Sequence, residues 1–328
     1  MPNFLYSQLF VRLPYPRTNF TGKTIVVTGS NTGLGKEAAR HYIRLGASRV
    51  ILAVRSLDKG HDAKHDIETT TKCNKNIIQV WQLDMASYAS VQKFAARVNT
   101  ELDRVDVFQA NAGLAKFKYE ISEDNETQIT VNFISTFLLA ALVIPKLKES
   151  AAKFNIRPIF TITGSGAHLH TEFPQKTAPD GELLATVNDK ATAEAHWDDQ
   201  YPISKLLVVF GVRAIAERHP ISDSSFPITF NIANPGLCQT ELSREHPTFA
   251  FWLFRLFVAR STEVGSRTLV HAAGAGPETH GQYLGDCTIH PPSPLATGPG
   301  GKELQDRVWS ELVKKLEAIK PGVTANFN

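Results

Sequence analysis

Cysteine is scarce in this 328-residue chain: Cys73, Cys238 and Cys287 are far apart and odd in number. That count and spacing argue against a disulfide framework, and no CxxC or Cys/His pattern offers zinc a site. Charge of one sign is also lacking. Lys and Arg number 35 against 32 Asp and Glu, a formal charge of +3, and no dense basic run offers nucleic acid a footprint. No stretch approaches the roughly 20 apolar residues needed to span a bilayer. The opening "MPNFLYSQLFVRLPYPRTNF" is broken by three prolines and two arginines, unlike a secretory leader. The expectation is a cytoplasmic protein with reduced, buried thiols.

What is present is a rhythm. With 42% apolar and 20% charged residues the composition suits a globular core. Short β-branched runs predict strands at 24–28, 49–54, 77–83, 105–110, 158–163 and 228–234. Amphipathic segments predict helices at 35–45, 57–71, 87–102, 123–148 and 201–217 between them. Nearly continuous apolar strands alternating with helices imply an α/β fold, a doubly wound parallel sheet buried on both faces. Residues 1–20 read as an N-terminal extension and 21–328 as one domain. Within it, 169–200 lacks a period and reads as an inserted loop. Residues 240–328 read as a lid and C-terminal elaboration, with helices at 262–275 and 303–319 flanking a Pro/Gly-rich loop at 291–301.

The first strand runs into "TGSNTGLG". Its glycines, Gly29, Gly33 and Gly35, depart from the GxGxxG spacing of dinucleotide-binding turns. The mechanics are the same: small residues clear the backbone, and a helix start presents N–H groups to an anion. A purely structural tight turn is the competing reading. After the second strand, where an acid would bind the ribose 2′-hydroxyl of NAD, "LAVRS" supplies Arg55, suited to the 2′-phosphate of NADP.

"YPISK" sets Tyr201 and Lys205 four apart on one helix face. A cation there pulls the phenol's pKa down, so that the tyrosine can give a proton to a carbonyl oxygen or take one from an alcohol. A YxxxK pair alone occurs by chance in many helices.

The order of "TGSNTGLG", "NAG" at 111–113, Ser165, "YPISK" and "NPG" at 234–236 resembles the short-chain dehydrogenase/reductase superfamily over roughly residues 20 to 320. Within it the chain looks like retinol-dehydrogenase-like members, and among those like enzymes of fungal biosynthetic pathways. The resemblance implies a Rossmann-type sheet and NADP(H). It implies that Gly29, Ser30, Asn31, Gly33 and Leu34 hold the diphosphate, Arg55 selects NADP, Asp84 contacts adenine, and Asn111 and Gly113 lie beneath the adenine ribose. Pro235, Gly236 and Thr240 would orient the nicotinamide. Tyr201 would be the acid–base, with Lys205 tuning it and holding the nicotinamide ribose. Ser165 would bind the substrate oxygen, and Asn132 would support a water-linked relay to Lys205. Two features depart from the pattern: 36 positions separate Ser165 from Tyr201, more than usual, and Ser165 follows Gly164 where a serine is common. Relatives commonly pair as homodimers through the helices bearing Asn132 and Tyr201, which the C-terminal elaboration could block.

Other features carry less. His168, His170 and His196 lack the carboxylate or cysteine that would complete a metal site. Asp180, Glu182, Asp189, Glu194, Asp198 and Asp199 read as a solvated face. "FAFWLFRLFVA" reads first as packed core. As a lid it would imply a lipophilic substrate, and at most peripheral membrane contact, since Arg255 interrupts it. The functional expectation is an NADP(H)-dependent oxidoreductase interconverting a carbonyl and an alcohol on a lipophilic small molecule. The alternatives are a non-catalytic NADP sensor or scaffold, and a dehydratase or epimerase on the same scaffold.

Overall fold

The computed structural model describes residues 4–243 and 249–328. Residues 1–3 and 244–248, parts of the expected extension and lid, lie outside the described residues.

Strands β1 (Thr24–Thr28), β2 (Arg49–Val54), β3 (Ile78–Gln82), β4 (Val107–Ala110), β5 (Ile159–Thr163), β6 (Thr229–Asn234), β7 (Tyr283–Gly285) and β8 (Thr288–His290) form one sheet in the order 8-7-6-5-4-1-2-3. All neighbours are parallel except the β7–β8 pair at the edge. The six longer strands fall where the apolar runs predict them, trimmed by a residue or two. β7 and β8 are additions: with three residues each, they show no period.

Alternation along the strands builds two cores, one on each face. On β1, Ile25 and Val27 face one core and Val26 the other; on β2, Val50, Leu52 and Val54 oppose Ile51 and Ala53. The first core packs beneath helices α2 (Gly33–Arg44), α3 (Leu57–Thr71) and the later α10 (Thr262–Ala273). The second packs beneath α4 (Tyr88–Glu101), α5 (Ser135–Phe154), α8 (Trp197–Arg218) and α11 (Gly301–Ile319). Its centre is aromatic: Phe108 stacks on Phe160 at 5.1 Å, and Phe160 on Phe230 at 5.0 Å. Gly211 lets α8 approach α5, since a Cβ there would meet the Phe137 ring at 2.3 Å. Ser56, Ser87 and Ser261 cap their helices with the hydroxyl.

The segment expected as one helix over 123–148 begins instead with a two-residue hairpin strand (Asn125–Glu126), then a short helical turn and a π-turn over Thr130–Ile134. α5 then extends past the expected end to Phe154, where Asn155 stops it in the left-handed conformation. Contrary to the expectation that no such run exists, Thr127–Phe154 is long and apolar enough to cross a membrane; 94% of its most apolar window is buried inside the fold, so it is a core helix. Pro145 cannot donate to Ala141 O, and Asn326 near the C-terminus supplies the missing donor at 3.1 Å.

Three further expectations are corrected. The 169–200 insertion is not a loop. It forms short helices α6 (Leu183–Asn188) and α7 (Lys190–Ala195), buries Phe173, Leu183 and Val187, and then enters α8. The Glu311 carboxylate accepts from Leu183 N and Leu184 N at 3.0 and 2.7 Å, an N-terminal cap from a distant helix. Residues 4–20 are no loose extension, since Gln8, Leu13 and Phe20 are buried. The stretch read as packed core forms α9 (Phe249–Val258), on which Leu253, Phe254, Leu256 and Phe257 are exposed. Among the thiols, Cys238 and Cys287 are buried and Cys73 is half-buried, and all three are free.

α11 lies along α8, and the turn over Val323–Phe327 lies along α5, burying Trp309, Leu312, Leu316 and Phe327 in the second core. The chain's own C-terminus thus covers part of the two helices expected to pair with a second copy.

Candidate active site

The strand order reverses between β1 and β4, and in parallel sheets a crevice opens there at the carboxyl ends of the strands. The first loop over it is the glycine turn. Gly29 takes φ +65°, and a Cβ on it would lie 2.9 Å from Ala112 Cα. A Cβ on Gly35 would lie 2.5 Å from Asn111 Nδ2 and 2.6 Å from Gly29 O. The turn therefore packs directly on the "NAG" loop after β4. Asn111 ties the two together, donating to Thr28 O at 3.0 Å and accepting from Thr163 Oγ1 at 3.3 Å.

Thr32 precedes α2 without capping it through its side chain. The start of α2 thus presents N–H groups and the positive end of its dipole to the crevice. A cleft of about 400 Å³ lies there, lined by Thr32, Gly33, Lys36, Gln239, Thr240 and Arg255. Cleared backbone and a helix start without a side-chain cap fit a dinucleotide diphosphate, in a lining where Lys36 and Arg255 stand beside Glu37 and Glu241. The Ser30 hydroxyl is fully buried and donates to Val27 O at 2.8 Å, so only its backbone faces a phosphate role. Asn31 and Leu34 are half-buried on the turn. Arg55 is exposed just past β2, and Asp84, half-buried past β3, bends its own loop by accepting from Ala86 N at 3.0 Å.

The second cluster stands at the ends of β5 and α8. Ser165 follows β5, and Tyr201 and Lys205 lie one turn apart on α8. The 36-residue separation is absorbed by the folded insertion, which brings Ser165 beside Tyr201, near enough to influence the titration of its phenol. Contrary to the expectation that Lys205 pulls the phenol down, burial pushes it up to about 12, with Ser165 acting the other way. The Lys205 ammonium lies 5.8 Å from the Tyr201 ring centre and donates to Thr163 O at 2.9 Å. It is almost fully buried, and desolvation pulls it down to about 8. Gly113 stands between this lysine and Asn132, since a Cβ on it would lie 3.4 Å from Lys205 Nζ and 3.1 Å from Asn132 Oδ1.

Asn132, in the π-turn before α5, holds Leu114 at both ends. It accepts from Leu114 N and donates to Leu114 O, both at 2.9 Å, and donates to Ser204 Oγ at 3.0 Å. These contacts make it a brace for the loop under the site.

Three residues that sequence reasoning did not select shape the rest. His168 is fully buried; its Nε2 accepts from Ser293 N at 3.1 Å, so its Nδ1–H donates to Ser165 O at 2.6 Å. Burial holds the ring down at about 4, hence neutral at physiological pH. It is a structural strut behind Ser165, as the rejection of a metal role at 168–170 left open. Asn234 joins the loops after β5 and β6 by accepting from Gly166 N at 3.2 Å and Gly236 N at 3.0 Å. Gln8, on helix α1 (Phe4–Phe10), exchanges hydrogen bonds with Leu237 O at 2.8 Å and Leu237 N at 3.2 Å. It thereby fixes the loop of Pro235, Gly236 and Thr240 from outside. Thr240 closes that loop over the glycine turn, 3.7 Å from where a Cβ on Gly33 would be. Gln8 has no motif to mark it, "HLH" at 168–170 is the nearest signal for His168, and Asn234 opens the "NPG" motif, from which only Pro235 and Gly236 were selected.

Among the described residues no group of three His, Cys, Asp or Glu side chains could hold a metal ion. A doubly wound sheet, a cleared helix start and a Ser–Tyr–Lys cluster beside it define a nucleotide-binding oxidoreductase type of site. The comparisons agree. The short chain dehydrogenase family profile matches residues 23–168. The chain is 69% identical over 324 residues, 99% of both chains, to the short chain dehydrogenase/reductase dmxR8 of Cryptosporiopsis sp.. It is 41% identical to the short-chain dehydrogenase anuD of Penicillium roqueforti, over 98% of this chain and 84% of that one. The fold is shared with a short-chain type dehydrogenase/reductase from Mycobacterium marinum, with a TM-score of 0.61, 20% identity and coverage of 86% of this chain and 98% of that one. It is shared also with an alcohol dehydrogenase from Thermococcus sibiricus complexed with 5-hydroxy-NADP, with a TM-score of 0.57, 20% identity and coverage of 80% and 95%. The chain belongs to the short-chain dehydrogenase/reductase family.

Proposed function

We propose that the protein is an NADP(H)-dependent reductase that interconverts a carbonyl and an alcohol on a lipophilic small molecule, in the cytosol, as a step in the biosynthesis of a fungal small-molecule product. The observation that carries the reading is the convergence on Tyr201 of Ser165, at the end of β5, and the buried Lys205 Nζ, which lies 5.8 Å from the Tyr201 ring centre. The glycine turn and the start of α2 would hold the diphosphate, and Arg55 a 2′-phosphate. Asp84 would meet the adenine, Asn111 and Gly113 would lie under its ribose, and Pro235, Gly236 and Thr240 would orient the nicotinamide. The dinucleotide, when bound, supplies or accepts the hydride.

The protein's own residues do the rest. Ser165 orients the substrate oxygen by hydrogen bonding. Tyr201, with its phenol held up at about 12, stays protonated at neutral pH and can donate to that oxygen as negative charge develops on it. Lys205 stabilises the phenolate left behind. Asn132 keeps the Leu114 loop in place beneath the site, with the proposed proton relay running between it and Lys205. Any homodimer would form around the covering α11. The fungal relatives support a substrate from such a pathway.

The test follows NADPH oxidation with a panel of lipophilic ketones and aldehydes, with NADH and Tyr201→Phe in parallel. Turnover that prefers NADPH and drops about a hundredfold or more in the variant is expected. Turnover that survives Tyr201→Phe overturns the assignment of the acid. Tight NADPH binding without turnover would move the reading to a sensor.

A further inference from the structure

Helix α1 is inside out. Its buried residue is the polar Gln8, bonded to the Leu237 backbone and to Val258 O of α9. Ser7 beside it bonds Asp286 at 2.5 Å. Its large apolar side chains point outward: Phe4, Tyr6, Leu9 and Phe10 are exposed, Phe10 at 69%. The neighbouring α9 repeats the arrangement. Arg255 reaches inward to Thr240 O, while Leu253, Phe254, Leu256 and Phe257 are exposed, Phe257 at 72%. Ordinary surface helices bury their apolar stripe and expose their polar one. Here polar side chains attach two adjacent helices to the nicotinamide loop, and apolar ones face outward.

The charge around this patch decides what covers it. No acidic residue occurs before Glu37, and none between Glu245 and Glu263. Arg12 and Arg17, just past α1, are exposed and form no ion pair with the described residues. A second copy docked on a two-fold axis would bring the same cations face to face, with no acid on either segment to receive them. An anionic lipid surface supplies both an apolar layer for the aromatic and leucine side chains and phosphates for the arginines. We propose that the α1/α9 face docks the protein on an anionic membrane surface, lying in the interface without crossing it. This inference does not rest on the catalytic reading.

The experiment is co-sedimentation of the full chain with phosphatidylcholine vesicles, with and without phosphatidylserine. Phe10→Glu/Phe257→Glu removes the two most exposed apolar anchors, and Arg12→Glu/Arg17→Glu reverses the cations. The expected result is binding that prefers the anionic vesicles and falls about tenfold or more in each double variant, with unchanged circular dichroism and melting temperature. Failure of the wild type to pellet with either vesicle overturns the proposal. So does equal pelleting of the wild type and both variants. A dimer in light scattering that dissociates in the Phe10→Glu/Phe257→Glu variant, without vesicle binding, assigns the face to a second copy instead. None of these readouts requires turnover.

Discussion

The half of the molecule from β1 to β4 and the half from Ser165 onward are held by different means. In the first, local backbone demands decide the structure: a strand buried on both faces, a turn that Gly29 enters at φ +65°, and a helix start without a side-chain cap. In the second, contacts between residues far apart in sequence decide it. His168 joins Ser165 to Ser293, Glu311 caps the helix at Leu183, and Gln8 grips Leu237. A site for a common dinucleotide can be written in one short stretch of sequence, whereas the substrate side of this fold is assembled from the insertion, the C-terminus and the N-terminus together.

Substitutions that break one kind of support and spare the other sharpen this contrast. Gly35→Ala attacks the local kind. Its Cβ would strike Gly29 O and Asn111 Nδ2, both within 2.6 Å, so the turn must shift. We expect a loss of about 1–3 kcal/mol in stability and a fall in NADPH affinity of about a hundredfold, read by thermal melting and titration. Unchanged affinity would mean that the turn does not seat the diphosphate.

His168→Phe attacks the long-range kind. It removes the donor to Ser165 O and the acceptor for Ser293 N while keeping a ring in the space. The expected fall in kcat is about tenfold, at unchanged NADPH affinity, because the misplacement falls on the Ser165 and Ser293 loops and leaves the glycine turn in place. His168→Asn, which can restore the donor, should recover part of it. A matching loss of NADPH affinity would show that the two halves are not separable in this way.

Gln8→Ala has the smallest expected effect. It leaves Leu237 N and O without their side-chain partner, costing about 1–2 kcal/mol. A modest drop in melting temperature and a two- to threefold rise in substrate KM should follow, since the loop is loosened but its residues remain. No change in either would make α1 a mere surface feature.

The same contrast explains what the sequence could reveal. The six main strands, the glycine turn and the Tyr201–Lys205 pair were legible because each has a local signature: a continuous apolar run, a spacing of glycines or a four-residue interval on a helix; Asn111 and Ser165 have none and came only through the family resemblance. The insertion was not, because helices of six residues show no period and the cap of the first, Glu311, lies more than a hundred positions away. The aromatic run at 249–259 misled in the other direction. Dense apolar sequence usually means core, yet its second half is exposed. β7 and β8 were too short to read, Gln8 carries no motif, and the bracing roles of Asn234 and His168 lie in contacts that their "NPG" and "HLH" surroundings do not show.

The central claim, that the crevice between β1 and β4 seats NADP(H), is tested most directly by titrating NADPH and NADH into the wild-type protein and into Arg55→Ala. The account predicts tighter NADPH binding by the wild type. It predicts a loss of about ten- to a hundredfold for NADPH in the variant, as one charge-assisted contact to a phosphate is removed, with NADH affinity little changed. Equal affinity for both dinucleotides in the wild type, or a variant that loses both alike, would contradict it.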